Sequence, residues 1–222
     1  MKFYESGDNR KPVIFLFPGT CCLYSSFDHV LDGLHSYFYT VTVSYDGFDP
    51  NEKTEFYSME DECEKIEQEI RKKYGGRIYL VAKIQSSMVV PFMYKMVHTG
   101  TLPKFMQKKL DKTDGGKKEL YNGFFNMFGI GKGGSPWITK QSIYNQFYSD
   151  LVTKVQHGID VPGTTIHVFY ATKMGEKYEK RYCTYFKNPD IRRYNMQHEE
   201  LFCCHSAEWV EEVKKSVEGD RQ

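Results

Sequence analysis

The chain has 222 residues, with 30 lysines and arginines against 29 aspartates and glutamates, a formal net charge of +1. This length predicts one domain with at most a small insertion, and the near-zero charge gives no long-range field that would favour nucleic acid or an anionic membrane surface. Hydrophobic residues make up 40% of the chain and aromatic residues 16%, a composition that excludes a disordered tail.

The first half of the chain begins with a strong strand signal. The apolar run from Val13 to Phe17 ends at a Pro-Gly pair and predicts a strand buried on both faces of a parallel sheet. Apolar residues at helical spacing predict a helix from Ser25, with Ser25 or Ser26 capping its exposed amides. Alternation of β-branched and aromatic residues over Tyr39 to Tyr45 predicts a second strand.

A long charged helix follows, and Ser58 with Asp61 forms a capping-box pattern at its start. One stripe of this helix is apolar: Met59, Cys63, Ile66 and Ile70. The segment from Ile78 to Ala82 predicts a third strand. Strands that alternate with helices in this way predict right-handed crossovers, and hence an α/β fold with a three-layer, mostly parallel sheet flanked by helices.

The pattern changes in the middle third, where residues 83–164 carry apolar clusters at helical spacing and no convincing strand. One such stripe contains Ile143, Phe147, Leu151 and Val155. Strand character returns from Thr165 to Ala171, followed by a helical stretch from Glu176 to Phe186. A last helix begins at Ser206 and points four residues inward: Trp209, Val210, Val213 and Val217. We therefore expect a core of residues 1–82 and 161–222, interrupted by a helical cap or lid at 83–160.

Three features occur in a characteristic order along the chain. A strand ends in Phe17-Pro18-Gly19-Thr20, a strand and loop follow at 165–176, and a histidine precedes the final helix. Together they resemble the α/β-hydrolase superfamily of the serine-hydrolase type over residues 12–82 and 161–217. The resemblance implies action on ester or thioester-type acyl bonds.

The resemblance also implies roles for particular residues. The loop after the first of these strands would supply an oxyanion-stabilising amide, that of Thr20 or Cys21, although a simple tight turn is an equally good interpretation. His198 matches the general base, the alternative being a surface histidine, since His205 lies almost on the last helix. Glu176 is the only carboxylate in the turn where the orienting acid should lie, and it could equally be a first-turn glutamate of the next helix.

The nucleophile motif G-x-S-x-G is missing after the third strand, where the sequence reads Ala82-Lys83-Ile84-Gln85-Ser86. In that register Ile84 occupies the serine slot. Placing Ser86 at the elbow leaves Ile84 and Met88 in the two glycine slots, where side chains are sterically unfavourable. Ser86 is therefore a nucleophile only if its surroundings maintain a strained turn.

Compared with the family pattern, an elbow, a helix and a core strand are missing after Ala82, which predicts a truncated core. We expect an impaired or inactive hydrolase. The alternative is a pseudoenzyme that binds a ligand, or serves as a scaffold, without chemistry.

Two other residue patterns are weaker indications of a functional site. Gly129, Gly131 and Gly134 satisfy G-x-G-x-x-G formally, but they follow a helical segment, which favours a lid loop over a dinucleotide site. A thiol nucleophile at Cys21 or Cys22 remains an open alternative.

Cys21, Cys22, Cys203 and Cys204 form adjacent pairs that fit neither zinc spacing nor a disulfide framework, so we expect reduced thiols, no metal and no cofactor. The lysine-rich pieces Lys104 to Lys118 and Lys173 to Arg193 are interleaved with acids and predict solvated helix faces.

The longest charge-free run, Pro12 to Phe27, is too short to span a bilayer, and no leader precedes it. We expect a cytoplasmic protein with a small acyl-type ligand as candidate partner, no nucleic acid and no membrane span.

Overall fold

The computed structural model of the protein describes residues 1–75, 78–82 and 90–219, of which 78–82 and 90–92 are described by their backbone alone. The chain forms two compact units, Met1–Thr153 and Lys154–Gln222. Each unit has its own sheet and its own buried residues.

The first unit contains a four-stranded sheet with the order β1-β3-β2-β4. Its strands are β1 (Lys2–Ser6), β2 (Val13–Phe17), β3 (Tyr39–Ser44) and β4 (Ile78–Ala82). β2 runs parallel to both β3 and β4, whereas β1 pairs antiparallel with β3 at the edge. The three predicted strands and their parallel arrangement are confirmed, and β1 is an addition that the sequence analysis missed.

Six α-helices accompany this sheet in the described ranges: α1 (Asp28–His35), α2 (Met59–Lys73), α3 (Val90–Thr99), α4 (Lys104–Asp111), α5 (Gly115–Met127) and α6 (Lys140–Val152). The Ser58 hydroxyl accepts a hydrogen bond from the Asp61 amide at 3.2 Å, as the capping pattern of α2 predicts. The predicted serine cap of α1 is wrong, because the chain enters α1 through a 3₁₀ turn and neither Ser25 nor Ser26 caps it.

The apolar stripe predicted for α2 needs correction. Cys63 is exposed, and the residue of this helix that is fully buried is Glu62. Its carboxylate accepts a hydrogen bond from the Asp46 amide at 3.1 Å and lies beside Lys65, so a polar network replaces the expected apolar contact.

Between β4 and the next strand along the chain, the described residues form helices α3 to α6 and no strand, in agreement with the helical middle third. The stripe predicted along α6 is half wrong. Ile143 and Phe147 are buried, but Leu151 is 70% exposed, and Val155 is exposed and lies beyond the end of the helix. None of the helices in the described ranges is long and apolar enough to cross a bilayer.

The second unit contains two parallel strands, β5 (His167–Ala171) and β6 (Asp190–Tyr194), joined through α7 (Glu176–Tyr185). α8 (Glu200–Cys204) and α9 (Ser206–Gly219) complete it. Neither β6 nor α8 was predicted. The four inward residues of the last helix are buried as expected, and the Trp209 ring packs edge-on against Phe202 at a centroid distance of 5.2 Å.

Candidate active site

The loop that follows β2 makes a tight turn at the carboxyl end of the strand. The Cys22 amide donates to the Gly19 carbonyl at 2.9 Å, and the Leu23 amide donates to the carbonyl of Met127 at the end of α5 at 2.9 Å. Within the turn from Gly19 to Cys22, Cys21 adopts a left-handed backbone conformation with φ of 59°. Such a conformation costs a residue with a side chain of the order of 1 kcal/mol or more, so the surroundings must hold it.

Helix α6 supplies that support. The Cys21 amide donates a 2.7 Å hydrogen bond to the Oε1 atom of Gln146, and both residues are buried. A buried amide that lacked this acceptor would be costly, which explains why the glutamine is held in the interior. The bond also means that the Cys21 amide is already engaged and is not open to a ligand oxygen.

Thr20 is placed differently. Its hydroxyl donates to the Oδ2 atom of Asp150 at 2.6 Å, while its backbone amide has no acceptor among the residues that the structure describes. Of the two oxyanion donors predicted from the sequence, the Thr20 amide is thus the one that has no acceptor in the described ranges. Partial burial raises the pKa of Asp150, and the Thr20 hydroxyl acts in the opposite direction.

Gln146 and Asp150 lie four residues apart and so share one face of α6. The helix itself is anchored at its start, where the Thr139 hydroxyl accepts from the Ser142 amide at 3.0 Å. The Asn145 side chain also donates to the Phe56 carbonyl at 2.8 Å. The sequence analysis missed Gln146 and Asp150, because no local pattern connects residues so far apart in the chain.

The Cys21 thiol does not fit the role of a nucleophile. It is fully buried, and its burial, with smaller effects of Cys22 and Asp150, raises its pKa well above the ordinary value for a thiol. The thiolate is the reactive form of cysteine, so this thiol stays protonated and inert in the folded protein.

The candidate nucleophile Ser86 lies outside the described residues, as do Ile84 and Met88. The described chain leaves β4 at Ala82 and resumes with α3 at Val90.

His198 and Glu176 both belong to the second unit. Glu176 is the first residue of α7, its side chain is 89% exposed, and its ion-pair partner is Lys180 at 3.8 Å. The Nε2 atom of His198 lies 3.6 Å from a carboxylate oxygen of Glu199, and no ion pair joins His198 to Glu176 in the described chain. The orienting role of Glu176 stays a prediction that its surroundings do not support.

Glu199 is a carboxylate that the sequence analysis overlooked, although it directly follows the histidine. It has a left-handed backbone, with φ of 63°, at the start of α8, and its side chain is only 11% exposed. The turn around it is closed by the Gln197 amide, which donates to the Glu200 carboxylate at 2.6 Å. His198 itself is 38% exposed.

A cluster of three carboxylates, from Asp46, Asp61 and Glu62, brings oxygen atoms within 4.8 Å of one another. The ammonium group of Lys65 contacts all three. These contacts account for the cluster as an ion-pair network that ties α2 to the end of β3. All six cysteines are described, and no disulfide joins any of them.

The glycine-rich loop at 129–134 uses its amides within the protein. The Gly131 amide donates to the Gly100 carbonyl at 2.9 Å, and the Gly134 amide donates to the Gly129 carbonyl at 3.3 Å. A dinucleotide site needs such amides free to bind a pyrophosphate, and it needs them at the start of a helix. The arrangement supports the interpretation of a structural loop.

Comparison with known proteins relates the chain to solved structures by its fold. No family model and no curated protein matches the chain. A protein of the alpha/beta hydrolase family from Desulfitobacterium hafniense superposes with a TM-score of 0.65 at 11% identity, over 97% of this chain and 100% of that one. A lipase-esterase related protein from Clostridium acetobutylicum gives 0.64 at 14%, over 96% and 98%.

A third similar structure is that of a protein named for a different kind of reaction. The 1H-3-hydroxy-4-oxoquinoline 2,4-dioxygenase gives a TM-score of 0.58 at 12% identity, over 97% of this chain and 95% of that one. At such low identity these likenesses show the fold, and one fold serves many reactions.

Proposed function

The protein has the α/β-hydrolase fold, and we propose that it binds acyl compounds of the ester or thioester type and hydrolyses them weakly or not at all. The observation that carries the proposal is the Thr20 amide. It lies at the carboxyl end of β2, open in the described chain, in a loop that Gln146 and Asp150 hold rigid. A preorganised amide of this kind stabilises the negative charge that develops on an acyl oxygen.

The expected weakness of the reaction rests on the sequence around Ser86. Isoleucine and methionine stand where an efficient elbow has glycine, so the serine could be presented only in a strained turn. The absence of a strand between β4 and β5 in the described residues supports a truncated core. The proposal includes a cap role for residues 83–160, His198 as the general base and a cytoplasmic location.

A second candidate function is ligand binding or scaffolding without catalysis. The missing G-x-S-x-G motif favours it. The two candidates differ in turnover alone, because both use the same open amide to bind an acyl oxygen.

The first experiment is labelling of the purified, folded protein with a fluorophosphonate serine-hydrolase probe. The modified peptide is identified by mass spectrometry, and heat-denatured protein is the negative control. Labelling of Ser86 that disappears in Ser86→Ala, but not in Ser87→Ala, would establish a working nucleophile. Folded protein that stays unlabelled would leave binding without catalysis as the function.

Hydrolysis of p-nitrophenyl butyrate tests the general base separately. We expect any turnover to fall at least tenfold in His198→Ala and to stay unchanged in His205→Ala, which removes an exposed histidine of the same unit. Equal activity in both variants would remove His198 from the proposal. Saturable stabilisation of the protein by octanoate in a thermal melt, without turnover of the ester, would support the binding function.

A further inference from the structure

The first unit has a strongly basic surface that the proposed function does not use. It consists of the exposed lysines of α4, of the start of α5 and of the turn between them, here called the lysine surface: Lys104, Lys108, Lys109, Lys112, Lys117 and Lys118. Residues 104–118 contain these six lysines and two aspartates, a formal net charge of +4 in a chain whose total is +1. The near-neutral total therefore conceals a local concentration of positive charge.

No ion pair in the described chain includes any of these six ammonium groups. The two carboxylates of the segment, those of Asp111 and Asp114, offset two of its six positive charges and leave the rest in excess. Like charges that lie close together along the chain repel one another and create a positive potential. A negatively charged partner would relieve that repulsion.

The lysine surface also has an apolar residue within it. Lys104 and Lys108 of α4 and Lys112, which caps the end of that helix, follow one another at intervals of four, while Leu110 is buried on the other side of the helix. Phe105 lies next to the lysine stripe and is 67% exposed. An exposed aromatic ring among lysines is typical of segments that lie in the headgroup region of a bilayer.

We propose that the lysine surface binds the headgroups of an anionic lipid bilayer and that the Phe105 ring inserts among the acyl chains beside them. Three features favour lipid over nucleic acid. The segment contains no arginine, the side chain that recognises phosphates bidentately. It has one aromatic ring, whereas proteins that bind single-stranded nucleic acid stack successive bases on several rings. Lysine side chains also suit a bilayer surface, because their aliphatic part packs on apolar groups while the ammonium group reaches the headgroups.

The test is co-sedimentation of the full chain with vesicles at 0.05 M and 0.15 M salt. Vesicles of pure phosphatidylcholine are compared with vesicles that contain 30% phosphatidylserine. We expect partitioning to the anionic vesicles to be at least tenfold stronger and to weaken with salt. The double variant K108E/K112E should lose at least tenfold, and F105S should lose several-fold while keeping the salt dependence.

The matched control is K53E/K72E, which changes the net charge equally at two exposed lysines outside the lysine surface. We expect it to change partitioning less than twofold. Equal binding to both vesicle types, or equal losses in the two double variants, would overturn the proposal. Tighter binding of a 30-nucleotide oligothymidine than of the anionic vesicles, with the same dependence on Lys108 and Lys112, would also overturn it. None of these outcomes depends on whether the protein hydrolyses acyl compounds.

Discussion

Two pairs of glycine turns, one pair in each unit, differ in how closely the surrounding backbone packs against them. In the first unit, a Cβ atom on Gly100 would lie 2.2 Å from the Gly134 amide nitrogen, and both glycines have positive φ. In the second unit, Gly158 and Gly163 also have positive φ, but nothing lies within 4 Å of a Cβ placed on either. The turns at Gly100 and Gly134 are thus fixed by packing as well as by dihedral preference, whereas those at Gly158 and Gly163 depend on dihedral preference alone.

The same contrast separates the two candidate site regions. The Thr20 loop is held by a buried hydrogen bond from Cys21 to Gln146, whereas His198 is half-exposed and has its carboxylate neighbour in the next residue. The conformation of the Thr20 loop is held by contacts with a distant helix, whereas the recorded ion-pair contact of His198 is with the next residue in the chain. Substitutions should accordingly be costly in the first region and mild in the second.

The largest effect is expected for Gly134→Ala. The new Cβ would lie 2.4 Å from the Gly100 nitrogen at a φ of 77°, and we expect a loss of about 3 kcal/mol or more in the free energy of unfolding. Gly163→Ala is a matched control because its φ is 75° in open space, so only the dihedral cost of about 1 kcal/mol should appear. Similar losses in urea titrations of both variants would mean that packing does not distinguish the Gly134 turn from the Gly163 turn.

The next effect is expected for Gln146→Ala. It removes the acceptor of the Cys21 amide and leaves that donor buried, a loss of about 2–3 kcal/mol. Gln141→Ala, at an exposed position of the same helix, should cost less than about 0.5 kcal/mol. Thermal melts of the two variants make the comparison, and a small loss in Gln146→Ala would show that the loop does not need α6.

A smaller, pH-dependent effect is expected at Glu62. Burial raises the pKa of this carboxyl, with Lys65 and the amino group of Met1 acting in the opposite direction and Asp61 adding to the rise. An acid with a raised pKa in the folded state loses stabilisation as pH rises through that pKa. The stability of Glu62→Gln relative to the parent should therefore improve as the pH rises from 4 to 7, measured in urea titrations across that range. Glu64→Gln, on an exposed position, should follow the parent throughout.

Glu212, in the second unit, should respond to pH with the opposite sign. Hydrogen bonds from Lys215, Tyr194 and Arg192 lower the pKa of Glu212 and outweigh its partial burial. A lowered pKa stabilises the fold at neutral pH, and the stabilisation is lost as pH falls through that pKa. Glu212→Gln should cost of the order of 0.5 kcal/mol at pH 7 and less near pH 3, in urea titrations at both values.

The smallest effect on stability is expected for His198→Ala. Its side chain is half-exposed, and its near neighbour in the described chain is Glu199, so the free energy of unfolding should change by less than about 0.5 kcal/mol. A loss above about 2 kcal/mol in a urea titration would show that this histidine is structural and would weaken its assignment as a base.

The elements that the sequence predicts well are those whose signal is local. β2 and β3 follow from apolar runs and alternation, and α2 follows from its capping pattern. The missed strands depend on their partners. Lys2–Ser6 is an edge strand fixed by pairing with β3 nearly forty residues later, and the charged segment Asp190–Tyr194 is a strand because it pairs with β5.

The candidate site likewise contains features that the local sequence predicts and features that it does not. The position of Thr20 follows from the Pro-Gly turn at the end of a strand. The residues that hold its loop, Gln146 and Asp150, lie 125 and 130 positions from their partners, so no periodicity could indicate them. The left-handed conformation of Cys21 was equally unpredictable, because it is imposed on a residue type that rarely adopts it.

Because Cys21 is buried beside α6, the rate at which its thiol is alkylated reports how often the loop opens. Iodoacetamide can reach this thiol only when the loop opens, whereas the exposed Cys63 and Cys183 are accessible from the start. The delay between fast and slow alkylation, resolved by peptide mapping, would measure how rarely the loop leaves its closed conformation. The native cysteines of the protein therefore allow the opening of the candidate site to be measured without introducing a new cysteine by mutation.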